Sequence, residues 1–155
     1  MDSLASQIFA IIVGIDQYRN EDLPHLDHAV SDAQKLTNFL IQDLKVPESH
    51  VQQLYNDAAT KDTIVNAIAN LPENSEFEPG HALLFFFSGL AGKAGQDVGM
   101  ICPVDINIGS RTGISDSTLT RLCDQISRSY GNNIVGILHH HVHGAHPNHS
   151  VDTSF

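Results

Sequence analysis

Ile8-Phe9-Ala10-Ile11-Ile12-Val13-Gly14-Ile15 is an unbroken apolar run, mostly β-branched and aromatic, with no polar alternation. A strand with one wet face alternates apolar and polar side chains, whereas a strand covered on both faces does not. The run therefore reads as the middle of a parallel sheet with helices on both sides. Residues 81–88 (HALLFFFS), the most hydrophobic segment, and residues 133–138 (NIVGIL) carry the same signature. All three are expected to be central strands.

The intervening segments supply the helices. Leu26, Ala29, Val30, Ala33, Leu36 and Leu40 recur at three- and four-residue spacing, the period of an amphipathic helix. Ser31 and Gln34 form a capping box, which predicts that the regular helix starts there and ends near Leu44, ahead of Pro47. Residues 51–55 read as a short strand. Thr60 is the expected N-cap of a helix with Ile64, Ala67, Ile68 and Leu71 on one face, stopped by Pro72. Residues 89–99 contain four glycines and predict a flexible loop. Residues 98–102 form a short strand ended by Pro103, and Ser115 caps a helix that turns Leu119, Leu122, Cys123 and Ile126 inward. Gly131 suits the position after that helix. Residues 139–155 show no periodicity and read as loop and tail, irregular over residues 145–155.

With no internal repeat and no linker, residues 1–155 read as a single domain. Buried strands alternating with amphipathic helices predict an α/β three-layer sandwich, a mostly parallel central sheet flanked by helices with right-handed crossovers. Sites in such sheets form beyond the carboxyl ends of the strands. Those ends are residues 16–20, 88–92 and 139–144, which sets the glycine segment beside a histidine cluster.

Composition narrows the function. Hydrophobic residues at 41% and charged residues at 17% exclude a disordered chain and a coiled coil. The longest apolar run, residues 82–87, is far short of the roughly 20 residues of a membrane helix. Met1-Asp2-Ser3-Leu4 lacks the basic start of a secretory signal, so an intracellular, cytoplasmic protein is expected. Asp and Glu outnumber Lys and Arg by 18 to 8, a balance that repels phosphate backbones and argues against a nucleic-acid partner. Cys102 and Cys123 make neither a disulfide framework nor a zinc knuckle. Ten histidines are present, six of them between His139 and His149.

Seven stretches, met in order, share a further likeness. They are Phe9-Ala10-Ile11-Ile12-Val13-Gly14-Ile15-Asp16-Gln17-Tyr18, Leu26-Asp27-His28-Ala29-Val30-Ser31-Asp32-Ala33 and Ala58-Ala59-Thr60-Lys61. Next come Pro79-Gly80-His81-Ala82-Leu83-Leu84-Phe85-Phe86-Phe87-Ser88-Gly89, then Ile101-Cys102-Pro103-Val104-Asp105 with Ile114-Ser115-Asp116-Ser117-Thr118-Leu119. Last is Gly131-Asn132-Asn133-Ile134-Val135-Gly136-Ile137-Leu138. Over residues 8–144 the chain resembles the caspase-like fold, and within it the metacaspase branch of the caspase-type cysteine peptidases. The resemblance implies a large-subunit (p20) topology and proteolysis as the family activity. It also implies where a site would lie. The family's Ser-Gly-His-Gly is here Ser88-Gly89-Leu90-Ala91, so Leu90 takes the place of the general base. Its Asp-Cys-Cys-His-Ser-Gly is here His139-His140-His141-Val142-His143-Gly144. His141 thus takes the nucleophile's place and His139 that of an acid lining the pocket for a basic side chain. Asp32 matches the pocket's other acid, and the backbone N–H groups of Ala91 and His141 match the oxyanion donors. Family members usually continue with further strands after this point.

Peptidase chemistry of this type needs a thiolate, an imidazole to activate it and donors for the oxyanion. Leucine cannot move a proton, and an imidazole at position 141 has no base partner. Cys102 and Cys123 read as small buried hydrophobes, with nothing beside them to lower a thiol pKa. His139, His141 and His143 would share one face of an extended strand, about 7 Å apart in steps of two. With His146 or His149 they are candidate ligands for Zn²⁺, Ni²⁺ or Cu²⁺, although strand-spaced imidazoles point in parallel and lack an orienting carboxylate. Asp32 alone serves as a first-turn carboxylate, worth under about 1 kcal/mol to its helix. Asp16 and Tyr18 read as turn and packing residues.

Three readings follow. The first is a pseudoenzyme of the caspase-like family that needs no cofactor. It acts as a binding or regulatory module, engaging a protein partner or itself along an uncovered sheet edge. The second is a residual hydrolase using the histidine cluster. The third is metal binding by the histidine-rich tail.

Overall fold

A computed structural model describes residues 3–94 and 98–142. At its centre β1 (Ile8–Gly14) pairs in parallel with β2 (Val51–Tyr55) on one side and β3 (Ala82–Ala94) on the other. Residues 9–14 are all buried, which is what the missing polar alternation predicted. The far half of β3 turns back through β4 (Val98–Ile101), antiparallel, and β4 carries the short β5 (Ile114–Ser115). β6 (Ile134–Val142) lies parallel to β3, on the edge opposite β1 and β4. Ala91 fixes that arrangement, because it pairs with both Ile101 and Val142. The sheet is therefore mixed, with parallel pairing along β2-β1-β3-β6 and antiparallel pairing along β3-β4-β5.

Side-chain parity divides the core into two clusters. Ala10, Ile12 and Phe86 pack with Ala33 and Leu40 of the first helical segment. Phe9, Ile11, Val13, Leu83, Phe85 and Phe87 pack with residues of two further helices, among them Ile64, Ile68, Leu122 and Ile126. Those helices are α1 (Ala29–Asn38), α2 (Lys61–Ala69) and α3 (Asp116–Tyr130). Local caps act where the sequence sets them. Thr60 accepts from the Thr63 N–H, Ser115 from the Thr118 N–H, and Gly131, at φ 96°, ends α3.

α1 begins at Ala29, two residues before the expected capping box. The reason lies elsewhere in the chain. The Asp16 carboxylate, just past the end of β1, accepts from the Ala29 and Val30 N–H groups at 2.8 and 3.4 Å. Gly14 lets this helix approach, since a Cβ there would stand 2.8 Å from Ala33 Cβ and 3.0 Å from the Ala29 carbonyl. A single π turn, Phe39–Asp43, carries the helix to Leu44, as the spacing predicted.

Two other expectations are corrected. The glycine-bearing segment 89–99 is not a loop where it is described. β3 continues to Ala94 and β4 returns from Val98, because Leu90, Met100 and Ile101 are drawn into the core and the backbone ladder outweighs the glycines. The last strand has one strand neighbour among the described residues, and it is longer than read. It pairs only with β3 among the described residues and continues through His139, His140 and His141 to Val142. Val135, Ile137 and Leu138 stand 56%, 43% and 41% exposed on it. An apolar run without alternation marks a strand whose faces suit burial; it does not supply the cover. His143 and the tail at 145–155 lie outside the described residues.

Candidate active-site cleft

The carboxyl ends of β1, β3 and β6 are brought side by side, as the topology of the sequence implied. Gly14 pairs with Ser88, Ser88 with His139, Gly89 with His140, Leu90 with His141 and Ala91 with Val142. The glycine segment and the histidine cluster are thus neighbouring strands in register.

Leu90 is fixed at both backbone groups. Its N–H donates to the Tyr18 hydroxyl at 2.7 Å, and its carbonyl accepts from the Cys102 N–H at 2.9 Å. The same hydroxyl donates to the Cys102 carbonyl at 3.2 Å. One phenol therefore ties β3 to the segment after β4. Burial holds the Tyr18 phenol well above its usual range, so it stays protonated and keeps both roles. The Leu90 side chain, 1% exposed, is packed hydrocarbon.

The two thiols are poorly suited to attack. Burial pushes Cys102 up to about 11. Cys123, half-buried, is raised as well, by burial first and then by the charge of Asp124. A nucleophilic cysteine needs the opposite, an environment that favours thiolate.

On the neighbouring strand, His139 Nδ1 lies 3.7 Å from Asp32 Oδ2, and Lys35 Nζ lies 3.4 Å from the other oxygen of Asp32. The two positions that the resemblance assigned to a pocket therefore do meet, across the gap between α1 and β6. At 3.7 Å the pair is an ionic contact rather than a hydrogen bond, and it carries charge on both sides only when the imidazole is protonated. The His139 and His141 rings stand 5.4 Å apart, centre to centre. Among the described residues no three His, Cys, Asp or Glu side chains converge as a metal centre, and His143 falls outside them. Ala91 and His141 both sit within the paired strands.

Sequence reasoning passed over three features. Asp16 reads as a turn residue, yet it caps α1; its partner is 13 residues away, beyond any local motif. Tyr18 reads as packing, yet its hydroxyl bridges the backbones of Leu90 and Cys102. Ser88 is fully buried in the row between Gly14 and His139, and its hydroxyl has no hydrogen-bond partner among the described residues. His50, by contrast, belongs to a structural cluster outside the cleft. It is stacked on Phe9 at 3.9 Å and contacts Glu76 at 2.9 Å.

The profile of the family described as "Metacaspase, peptidase C14 domain" matches residues 9–130, most of the chain. The chain belongs to that family. The matched region holds Asp32, Leu90 and Ala91 and stops before β6, where His139 and His141 lie. Among solved structures the metacaspase-family chain is similar to protein GSU0716 of Geobacter sulfurreducens. The TM-score is 0.62 at 15% identity, over 87% of this chain and 50% of that one. That likeness speaks for the fold, and this chain spans about half the length of its solved relative. No curated protein matches the sequence. No helix among the described residues is long and apolar enough to cross a membrane.

Proposed function

We propose that this metacaspase-family chain is a pseudoenzyme, a caspase-like p20 domain in three layers. It retains the cleft, lacks the proton-transfer pair, and acts as a binding or regulatory module. The observation that carries this reading is the row Leu90–His141. A buried hydrocarbon side chain stands on β3 where the family places its base, and an imidazole stands on β6 where it places its thiol. Catalysis by a cysteine–histidine pair requires a thiolate and a base within reach of each other. Here the nearer thiol, Cys102, is held in its neutral form by burial. The contact between Asp32 and His139 supports a pocket altered in preference: one acid of the pair has become an imidazole, which weakens any preference for a basic side chain. The reading needs no cofactor, places the protein in the cytoplasm, and assigns contact with proteins, its own copies included, to a sheet edge.

A fluorogenic peptide screen with basic and acidic P1 residues, run with and without Ca²⁺ or Zn²⁺, tests it. The expected result is no turnover above background and no covalent trapping by an electrophilic peptide. Turnover abolished by His141→Ala, or a trapped adduct on Cys102 or Cys123, overturns the reading in favour of a residual hydrolase.

A further inference from the structure

Eight Lys and Arg residues are spread along the chain, and the fold holds seven of them in segments that a peptidase cannot draw out. Lys35, Lys61, Arg121 and Arg128 lie in α1, α2 and α3, and Lys93 lies on β3 in the ladder with β4. Arg19 is tied twice. Its N–H donates to the Val104 carbonyl at 3.1 Å, and its Nε meets the Asp57 carboxylate at 3.0 Å. Lys45 precedes Val46, which is buried and donates its N–H to the Leu40 carbonyl. Arg111 is the exception. It lies in residues 107–113 of the connection between β4 and β5, and residues 107–111 are all exposed.

That loop can open alone. The Asn107 N–H donates to Thr112 Oγ1 at 2.9 Å and the Thr112 N–H to the Asn107 carbonyl at 3.2 Å. The Ser110 N–H donates to Asn107 Oδ1 at 3.1 Å and the Arg111 N–H to the Ile108 carbonyl at 3.3 Å. Among the described residues, every hydrogen bond of residues 107–112 stays within that stretch. The anchors on either side are firm, since Ile106 is buried and Ile114, wholly buried, pairs with Ile101. Arg111 sits at φ 50°, a left-handed conformation that is unfavourable with a Cβ and that extension relieves. A groove that binds a peptide in extended form takes it as a strand, and residues 109–113, which would fill it, all lie between the anchors. A loop with no buried apolar side chain of its own opens at far lower free energy than the whole fold.

We propose that the Arg111–Thr112 bond is a processing site, where an arginine-specific endopeptidase cuts the folded chain. Water adds across the amide, leaving a carboxylate on Arg111 and an amine on Thr112. The two pieces stay together, because β6 pairs with β3 from Ile134 to Val142, β5 pairs with β4, and α3 keeps Leu122 and Ile126 in the core. The cut releases the wall that Asn107, Ile108 and Gly109 give to a cavity of about 480 Å³ shared with Arg19, Asn20 and Asp22. This goes beyond the module reading and is decided apart from it. The test is limited digestion of the native full chain with trypsin, the fragments being read by intact mass. The expected result is one early cut, after Arg111, with both fragments in a single size-exclusion peak and the circular dichroism unchanged. A lysine-specific endopeptidase should leave the chain whole over the same time, and Arg111→Gln should lose the tryptic cut. Ile12→Ala, which weakens the sheet, should leave the rate at Arg111 unchanged, since local opening does not pass through unfolding. A first cut elsewhere, fragments that separate, or a rate that rises with Ile12→Ala overturns the proposal. So does a chain that trypsin leaves intact.

Discussion

β1 and β6 are written in the same alphabet and meet opposite fates. Both are runs of Ile, Val and Leu or Phe broken by one glycine, and both pair in parallel with β3. Yet Ile12 and Val13 are wholly buried, while Val135, Ile137 and Leu138 face outward. The lesson is that an unalternating run records which surfaces a strand can afford to hide. Whether they are hidden depends on the elements around it. β1 has strands on both edges and helices over both faces, whereas among the described residues β6 has one strand neighbour and partial cover from α3.

The largest expected effect breaks the two strands apart energetically. Ile12→Ala, which empties a wholly buried site, should cost about 3 to 4 kcal/mol in urea unfolding. Ile137→Ala, at a site 43% exposed, should cost under about 1 kcal/mol. Equal losses would show that β6 is covered in the isolated chain. The glycines sharpen the same contrast. Gly14→Ala should lose roughly 2 kcal/mol by pushing α1 from the sheet, because the added Cβ meets Ala33 and the Ala29 carbonyl. Gly136→Ala, with open space around it, should stay within about 0.5 kcal/mol of wild type.

A pH-dependent effect compares the buried and the half-buried cysteine. Cys102 keeps its proton in the folded chain up to about 11, against an ordinary value of 9.0. Below pH 9 the thiol is protonated in both folded and unfolded states and contributes nothing to the difference. Between about 9 and 11 the unfolded chain releases the proton and the folded chain retains it, so stability should fall as pH rises, by at most about 3 kcal/mol. Cys102→Ala should flatten that part of the profile. Cys123, half-exposed in the groove beside β6, should be alkylated first at pH 8.

Much of the fold was legible because its signals are local. Thr60, Ser115 and Gly131 act within three or four residues of themselves, so their helices could be placed from spacing alone. The apolar runs identified three strands for the same reason. What escaped were pairings between distant residues. The hairpin of β3 and β4 defies its glycines because Leu90 and Ile101 are buried together, and the early start of α1 depends on Asp16. At the cleft, strand register brings Leu90 beside His141, whereas the meeting of Asp32 with His139 was legible only through the family resemblance. The Tyr18 bridge was not readable, since a phenol bonding to a backbone 72 residues away leaves no pattern in the chain.

Asp16 leaves the cleft with little freedom to rearrange in pieces. Its carboxylate clamps the first turn of α1 directly to the strand floor, so the carboxylate of Asp32, borne on that turn, travels with β1. Asp32 therefore meets His139 from a turn fixed to the sheet, and a force that tilts the helix must first undo two bonds to a single anchoring side chain.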